Sequence, residues 1–390
     1  MPEIKVKWES PETEMMDRAT KVEIGAKKIF GPVRIAAPSD VSRAAQFSGT
    51  IHNTIGVAWF DMKSATVANL KKSNGFFKEK KNALESKLSA FNNNGFRMVY
   101  PRFPKTESVK FNLGMDKDGV TGIFDLLDSL PSNDGIMVPM PSRITNSIDY
   151  KGIINHTIEI HSQQSSSKPL IALIPLDDPI SAEKITQEYL KSKYSFSYFA
   201  LDFGMSYPEA SIRRVLRTLH NDLYKKEQIH YFASGLNVPL SASKGGREKA
   251  IVNLLYSTVG LDALSAQLYP AGGASQGAHS EAIKKLRYGV PMNYGSYDYN
   301  GLSGFLHEHG LCKCPICCNK TPNQIYSSGS YSKVSRMLSA HRGFMETIEL
   351  DRIRVEVMAG GADKYFGTKT VPVKSGEWLN IRKSILAIKR

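Results

Sequence analysis

Leu170-Ile171-Ala172-Leu173-Ile174, then the polar turn Asp177-Asp178, a helix-forming interval over 182–192, and Tyr198-Phe199-Ala200-Leu201 decide the fold of this 390-residue chain. Each flanking run is apolar throughout, without the alternation of a half-wetted strand. It therefore suits a strand buried on both faces, as in parallel sheets. Parallel neighbours need a crossover, and the interval supplies a helical one. The unit recurs outward in both directions. Apolar runs stand at Val33–Ala37, Ile55–Phe60, Phe96–Tyr100, Gly135–Pro139, Ile229–Ala233 and Leu261–Leu264, making eight in all. Further helix intervals are read at 207–226, opened by Ser206-Tyr207-Pro208-Glu209 as a capping signal, and at 246–258. Eight such units predict an α/β fold, a (β/α)8 TIM-type barrel, with a doubly wound sheet as the alternative.

The rhythm breaks near residue 300. All four cysteines lie in Cys312-Lys313-Cys314-Pro315-Ile316-Cys317-Cys318, and Ser339-Ala340-His341 follows. Disulfides need separated, facing Cβ atoms, so neighbours this close read as metal ligands instead. Cys312, Cys314, Cys317 and His341 form a Cys3His set that predicts a closed, structural Zn2+ site. Cys318 is a spare that could replace Cys317, although the spacing favours Cys317. The expected organisation is a barrel over 1–299, with its last helices completed by 342–390, and a C-terminal zinc-binding subdomain over 300–357. Gly- and Tyr-rich sequence at 269–304 reads as a long loop.

The formal net charge is +14, from 51 Lys+Arg against 37 Asp+Glu. So basic a balance favours a polyanionic partner through counterion release, with the solvated surface of a basic proteome as the alternative. The charge clusters at Lys71-Lys72, Lys78, Lys80-Lys81 and Lys87, at Arg213, Arg214, Arg217, Lys225 and Lys226, and at Arg382-Lys383 and Lys389-Arg390. Phe76 and Phe77 lie amid the first cluster, where they could stack bases or face a core. No window of about 20 apolar residues suits a membrane span, and Met1–Lys5 lacks the apolar core of a signal peptide. Free thiols without an export signal predict the cytoplasm.

Barrel rhythm and knuckle together resemble the tRNA-guanine transglycosylase superfamily. Its members carry a (β/α)8 barrel and a zinc subdomain with Cys-x-Cys-x-x-Cys followed by His a little over twenty residues on. Pro315 between the second and third cysteine is similar to the archaeal branch. Ile229-His230-Tyr231-Phe232-Ala233-Ser234-Gly235-Leu236 resembles the family's seventh strand, whose glycine lets a base approach the backbone. Gly260-Leu261-Asp262-Ala263-Leu264 resembles the eighth, which carries the nucleophile. The resemblance covers about 195–357. Three departures stand out. The usual nucleophile position is Ser265, and the Asp-Ser-Gly-Gly base-recognition motif has only Phe60-Asp61-Met62-Lys63-Ser64 as its nearest counterpart. The RNA-binding C-terminal domains of archaeal members are absent as well. A compact basic chain lacking these tRNA-type signatures resembles the DpdA-type proteins, which insert 7-deazaguanine bases into DNA.

The resemblance implies a transferase, a pentosyltransferase that exchanges guanine in DNA, alternatively in tRNA, for a preQ0-like 7-deazaguanine base through an Asp–C1′ intermediate. It implies Asp262 as nucleophile; a carboxylate in an apolar strand is costly unless used or paired, so capping is its structural alternative. Asp61 is the candidate acid/base. Asp202, at the end of the sixth run, binds the base edge or fills either role, while Gly204 and Gly235 allow close approach or are ordinary turn glycines. Implied partners are nucleic acid, the free base, and a second copy of the chain or an accessory protein. Ser265 keeps open a non-catalytic nucleic-acid-binding paralogue. Asp177-Asp178 before Pro179 reads as a turn rather than a metal pair. His307-Glu308-His309 has the wrong spacing for a His-Glu-x-x-His site and reads as surface or as support for the knuckle.

Overall fold

The computed structural model describes residues 3–10, 18–46, 54–91, 95–104, 117–141, 150–204, 208–239, 248–251, 253–265, 279–290, 293–374, 376, 378–380 and 383. The chain opens with an antiparallel sheet of β1 (Ile4–Trp8), β2 (Thr20–Ile24) and β3 (Lys27–Gly31). Next come β4 (Val33–Ala36), α1 (Pro38–Gln46), β5 (Thr54–Asp61), α2 (Ser64–Lys72), α3 (Asn74–Leu88) and β6 (Arg97–Arg102). Then follow α4 (Lys117–Asp128), β7 (Ile136–Met137), α5 (Tyr150–Gln163), β8 (Leu170–Pro175), α6 (Pro179–Lys191), β9 (Tyr198–Asp202), α7 (Glu209–Thr218) and β10 (Phe232–Leu236). After a detour through β11 (Glu248–Ala250) the chain reaches β12 (Ala263–Leu264).

Strands β4-β5-β6-β7-β8-β9-β10-β12 pair in parallel and β12 returns to β4, so the barrel closes. The eight apolar runs supply its eight strands, and closure rules out the doubly wound alternative. Every residue of β8, β9 and β10 is buried, which is why these strands carry no polar alternation. The seventh run sits later than read: β10 starts at Phe232, because Ile229 is exposed and belongs to the connection from α7. Asp178 caps α6, its Oδ2 accepting the Ser181 N–H at 2.7 Å with Pro179 in the first turn, so the turn reading of Asp177-Asp178 holds.

Other readings change. The interval 207–226 is helical only from Glu209, and continues from Leu219 to Lys226 as a π-helix. Ser206 and Tyr207 lie outside the described residues. The interval 246–258 is not an α-helix. It contains β11 and a 3-10 turn over Asn253–Val259 whose residues are all buried, whereas an amphipathic helix would keep one wet face. Of the expected loop 269–304, the described part forms α8 (His279–Lys284), β13 (Tyr288–Val290), β14 (Gly295–Tyr297) and the start of α9 (Tyr299–His309). Its tyrosines are buried rather than looped out: Tyr288, Tyr294 and Tyr297 are each at most 4% exposed.

The antiparallel sheet β11-β14-β13, α9, α10 (Pro322–Tyr326) and α11 (Tyr331–Met358) enclose a second core, which contains Cys314 and Cys317. The sheet that backs this unit thus begins upstream of residue 300. The 28-residue α11 belongs to both cores, and packs on α1 and β4. Two short helices, α12 (Ala362–Gly367) and α13 (Thr370–Lys374), follow. Among the described residues no helix is long and apolar enough to cross a membrane.

The N-terminal sheet lies across one end of the barrel. Ser197 Oγ donates to Ile4 O at 2.7 Å, Trp8 Nε1 donates to Tyr231 O at 3.1 Å, and the Lys27 ammonium meets Asp134 at 2.7 Å. Ser197, Tyr231 and Asp134 all stand just before a barrel strand begins. The sheet is therefore a plug over the N-terminal ends, and the C-terminal ends form the mouth.

Candidate functional site at the barrel mouth

Barrel enzymes present reacting groups at the C-terminal ends of their strands. Asp61 is the last residue of β5, Arg102 of β6 and Asp202 of β9; Asn237 follows β10 and Ser265 follows β12. Asp202 is 6% exposed, and its carboxylate is held by three donors. The Tyr100 hydroxyl donates to Oδ2 at 2.6 Å, while Asn237 Nδ2 and the Gly204 N–H donate to Oδ1 at 2.8 and 3.1 Å. Tyr100 stands on the third barrel strand and Asp202 on the sixth, so their bond spans the barrel. The network continues to Ser265, whose Oγ accepts the Asn237 N–H at 2.8 Å and whose own N–H donates to Gly235 O at 2.9 Å.

Asp61 sits nearer solvent, with its side chain 29% exposed and Oδ1 2.9 Å from Arg102 Nε. Its neighbour Trp59 has the Arg102 guanidinium 5.5 Å from its ring centroid and the Lys87 ammonium 4.9 Å from it. Burial pushes the Lys87 ammonium below the usual lysine range; the Asp61 carboxylate opposes this and Lys80 adds to it.

The glycines serve the backbone. Gly204 has φ +56°, the left-handed region, and makes the turn that brings its N–H onto Asp202. A Cβ on Gly235 would meet Val238 Cγ2 at 2.8 Å and Leu261 Cδ1 at 3.1 Å, so this glycine is required by apolar packing around it.

Asp262 does not join this group. It precedes β12 and lies at the plugged end, 1% exposed, with Oδ2 2.8 Å from Arg18 Nη2 and accepting the Ala233 N–H at 2.8 Å. The same Arg18 nitrogen reaches Gly260 O at 3.1 Å, and its guanidinium packs over Trp8 and Tyr231. Burial pushes the Asp262 carboxyl up, against Arg18 and the Ala233 N–H, which favour the anion. Its geometry is that of a bolt between plug and barrel. The carboxylate in an apolar strand is paired rather than free for chemistry.

The second candidate site is the Cys/His cluster. Ligand atoms of Cys312, Cys314, Cys317 and His341 all lie within 4.8 Å of one another, a group that could hold a metal ion. Cys314 Sγ and Cys317 Sγ stand 3.3 and 3.2 Å from His341 Nδ1. His341 Nε2 is 2.8 Å from Gly289 O, and Tyr288 stacks on the imidazole at 4.2 Å, so Nδ1 is the atom turned to the sulfurs. The knuckle is wound tight: Cys318 N–H donates to Cys314 O at 2.9 Å and Asn319 N–H to Cys312 O at 3.0 Å, with both residues at positive φ. Cys318 points away, its thiol on Pro315 O at 2.8 Å, and is no part of the group. His307, Glu308 and His309 are exposed at the end of α9 and stand outside it.

No protein-family model matches this sequence, and no curated protein matches it either. The site is therefore read from its own geometry. Sequence reasoning missed Tyr100 and Asn237, which hold Asp202, and Arg102 and Arg18, which hold the other two aspartates. Tyr100 counted as one more strand former in an apolar run. Asn237, directly after Gly235-Leu236, carried the only available signal, a polar residue at a strand's end.

Proposed function

We propose that the chain is a transglycosylase-like enzyme that exchanges guanine in nucleic acid, DNA before tRNA, for a 7-deazaguanine base. The supporting observation is that two carboxylates, Asp61 and Asp202, stand at the open end of a closed parallel barrel, while the third is bolted into the plug. Asp61 takes the nucleophile's role. It is the more exposed carboxylate, its ion-pair partner Arg102 stands at the rim, and a carboxylate suits reversible attack on an oxocarbenium-like C1′. An Asp61 oxygen–C1′ bond forms as the C1′–N9 bond of guanine breaks. Guanine leaves with a proton taken from solvent at the open mouth; the incoming base then attacks C1′ through its N9, releases Asp61 and returns its N9 proton to solvent. Asp202, fixed by Tyr100, Asn237 and Gly204, is suited to accept the N–H groups of a base edge rather than to attack.

The donor set of the Cys/His cluster fits Zn2+. The 3.2 and 3.3 Å separations between sulfur and imidazole nitrogen are close to the edge of about 3.5 Å that a tetrahedral zinc with these ligands requires. Bound zinc would be structural, since four protein ligands leave no open position. Reduced thiolate ligands suit a reducing compartment such as the cytoplasm.

A non-catalytic nucleic-acid-binding role is favoured by a different observation: each of the three aspartates already has a cation or several donors against it. Release of labelled guanine decides between them, with duplex DNA, single-stranded DNA and tRNA each offered a preQ0-type base. Exchange is expected, falling ~10³-fold in Asp61→Asn. Exchange undiminished in that variant overturns the nucleophile. No release from any substrate, with binding retained, favours the non-catalytic role.

A further inference from the structure

Between Lys63 and Leu88 the chain carries seven lysines against two glutamates. The structure orders part of this charge into a line. Lys87 Nζ lies 4.9 Å from the Trp59 ring centroid and 3.4 Å from Trp59 O, at the rim where Asp61 and Arg102 pair. One face further back along α3 comes Lys80, whose ammonium stands 4.8 Å from the Phe76 ring centroid. Residues 76, 80 and 87 are spaced four and seven apart, so they share one helix face. From Phe76 to Lys87 this face runs about 16 Å at 1.5 Å per residue.

One of the two acids of α3 meets this line, through an ion pair whose glutamate is 66% exposed. Glu85 is turned to the Ser132 N–H at 3.3 Å, in the connection after α4, and Glu79 pairs with Lys80 from the adjacent position. Asp61 is matched by Arg102. Lys80 and Lys87 repel one another, a strain that an anion between them would relieve. Both rings remain only partly buried: Trp59 and Phe76 pack against the main core, and each has an ammonium group over its ring. Ammonium groups flanked by aromatic rings are the arrangement that holds an unpaired strand, phosphates on the cations and bases on the rings.

We propose that the Trp59–Lys87–Lys80–Phe76 face is the docking surface for a single-stranded segment of nucleic acid, which it leads to the barrel mouth at Asp61. This rests on the reading of the chain as acting on nucleic acid, and it names where the strand lies. An unstacked strand is what base exchange requires, because a base within a duplex hides its sugar C1′ from a pocket.

Fluorescence anisotropy with a short labelled single-stranded DNA, the same sequence as RNA, and a DNA duplex tests it across a salt series. The proteins are wild type, Lys80→Gln/Lys87→Gln, Trp59→Leu, and the control Lys225→Gln/Lys226→Gln on the far π-helix, with thermal melts confirming that each folds. The double variant is expected to bind single strands at least tenfold more weakly and to lower the slope of log K against log salt by about 1.4, some 0.7 per phosphate lost. Trp59→Leu is expected to weaken binding roughly five- to 150-fold with an unchanged slope, the loss of one stacked base. Preference between the DNA and RNA arms identifies the polymer. An unchanged slope in the double variant, an equal loss in the control pair, or binding confined to duplex or absent altogether overturns the proposal. Binding that depends on Lys80 and Lys87 without any base exchange would overturn the enzymatic reading and leave this surface standing.

Discussion

Asp262→Ala would leave the Arg18 guanidinium buried against Trp8 and Tyr231 with its carboxylate gone. Breaking a buried pair from one side costs about 3–5 kcal/mol, because the remaining charge is uncompensated. Urea denaturation of Asp262→Ala is expected to show a loss of that size, and Arg18→Met combined with Asp262→Leu to recover most of it. A catalytic Asp262 would give the opposite pattern, with stability kept and base exchange lost. At the mouth, Asp202 meets the same requirement with neutral donors. Its three hydrogen bonds fix the carboxylate's direction without a cation that would have to be displaced by substrate.

Among the elements, α11 has the most demanding task. His341 on its first half faces the cysteine cluster, while Glu346, one turn on, bonds Arg34 of β4 at 3.1 Å and Asn253 at 3.1 Å. Gly343 lies between; a Cβ there would come within 3.2 Å of the Arg34 guanidinium, so its absence lets the arginine cross the helix. The candidate metal cluster and barrel closure thus share one rigid rod. If the cluster holds a metal as proposed, a strong chelator is expected to lower the melting temperature of the whole chain by several degrees, at about 1 °C per kcal/mol lost for a chain of this length. Cys317→Ser should do the same and Cys318→Ser should not; a melt indifferent to chelation and to Cys317→Ser would count against the cluster as a metal centre.

The plug has its own sensitivity. His230 stacks on Trp8 at 4.8 Å, and its Nδ1 accepts the Trp8 N–H at 3.4 Å. Burial, then the Arg18 and Lys7 cations, push this imidazole below the ordinary histidine value. A folded value below the unfolded one gives stability that is present above about pH 6.5 and lost as pH falls through the folded value. Denaturation midpoints measured from about pH 7 down to about pH 5 should fall in wild type, and fall less in His230→Asn, which accepts without charging. Equal slopes in both proteins would show that the plug is not the element that senses acid.

At the scale of the molecule, the barrel was legible because its strands are buried on both faces: β8 and β9 contain no position where sequence must answer to water. The cysteine cluster was legible because three of its four ligands fall within the six residues 312–317. The plug was not. In β2, Thr20, Val22 and Ile24 are buried and Lys21 and Glu23 only partly so, a period-two pattern five residues long that polar composition hides. Asp262 was ambiguous for a physical reason. A carboxylate in an apolar strand announces a partner or a task, and the partner lay 244 residues away in sequence. Apolar tyrosines at 288, 294 and 297 were read as loop because nothing in their spacing showed the second core that covers them.

That sequence distance also bears on how the chain is made. Arg18 is synthesised 244 residues ahead of Asp262. At about 5–20 residues per second, the first strands wait ~12–50 s for the residue that bolts them down. During that interval β1–β3 carry an arginine without its carboxylate and a tryptophan, Trp8, without Tyr231. The barrel cannot be sealed from its beginning: a nascent chain short of residue 262 lacks both the bolt of its plug and β12, the strand that closes the barrel onto β4.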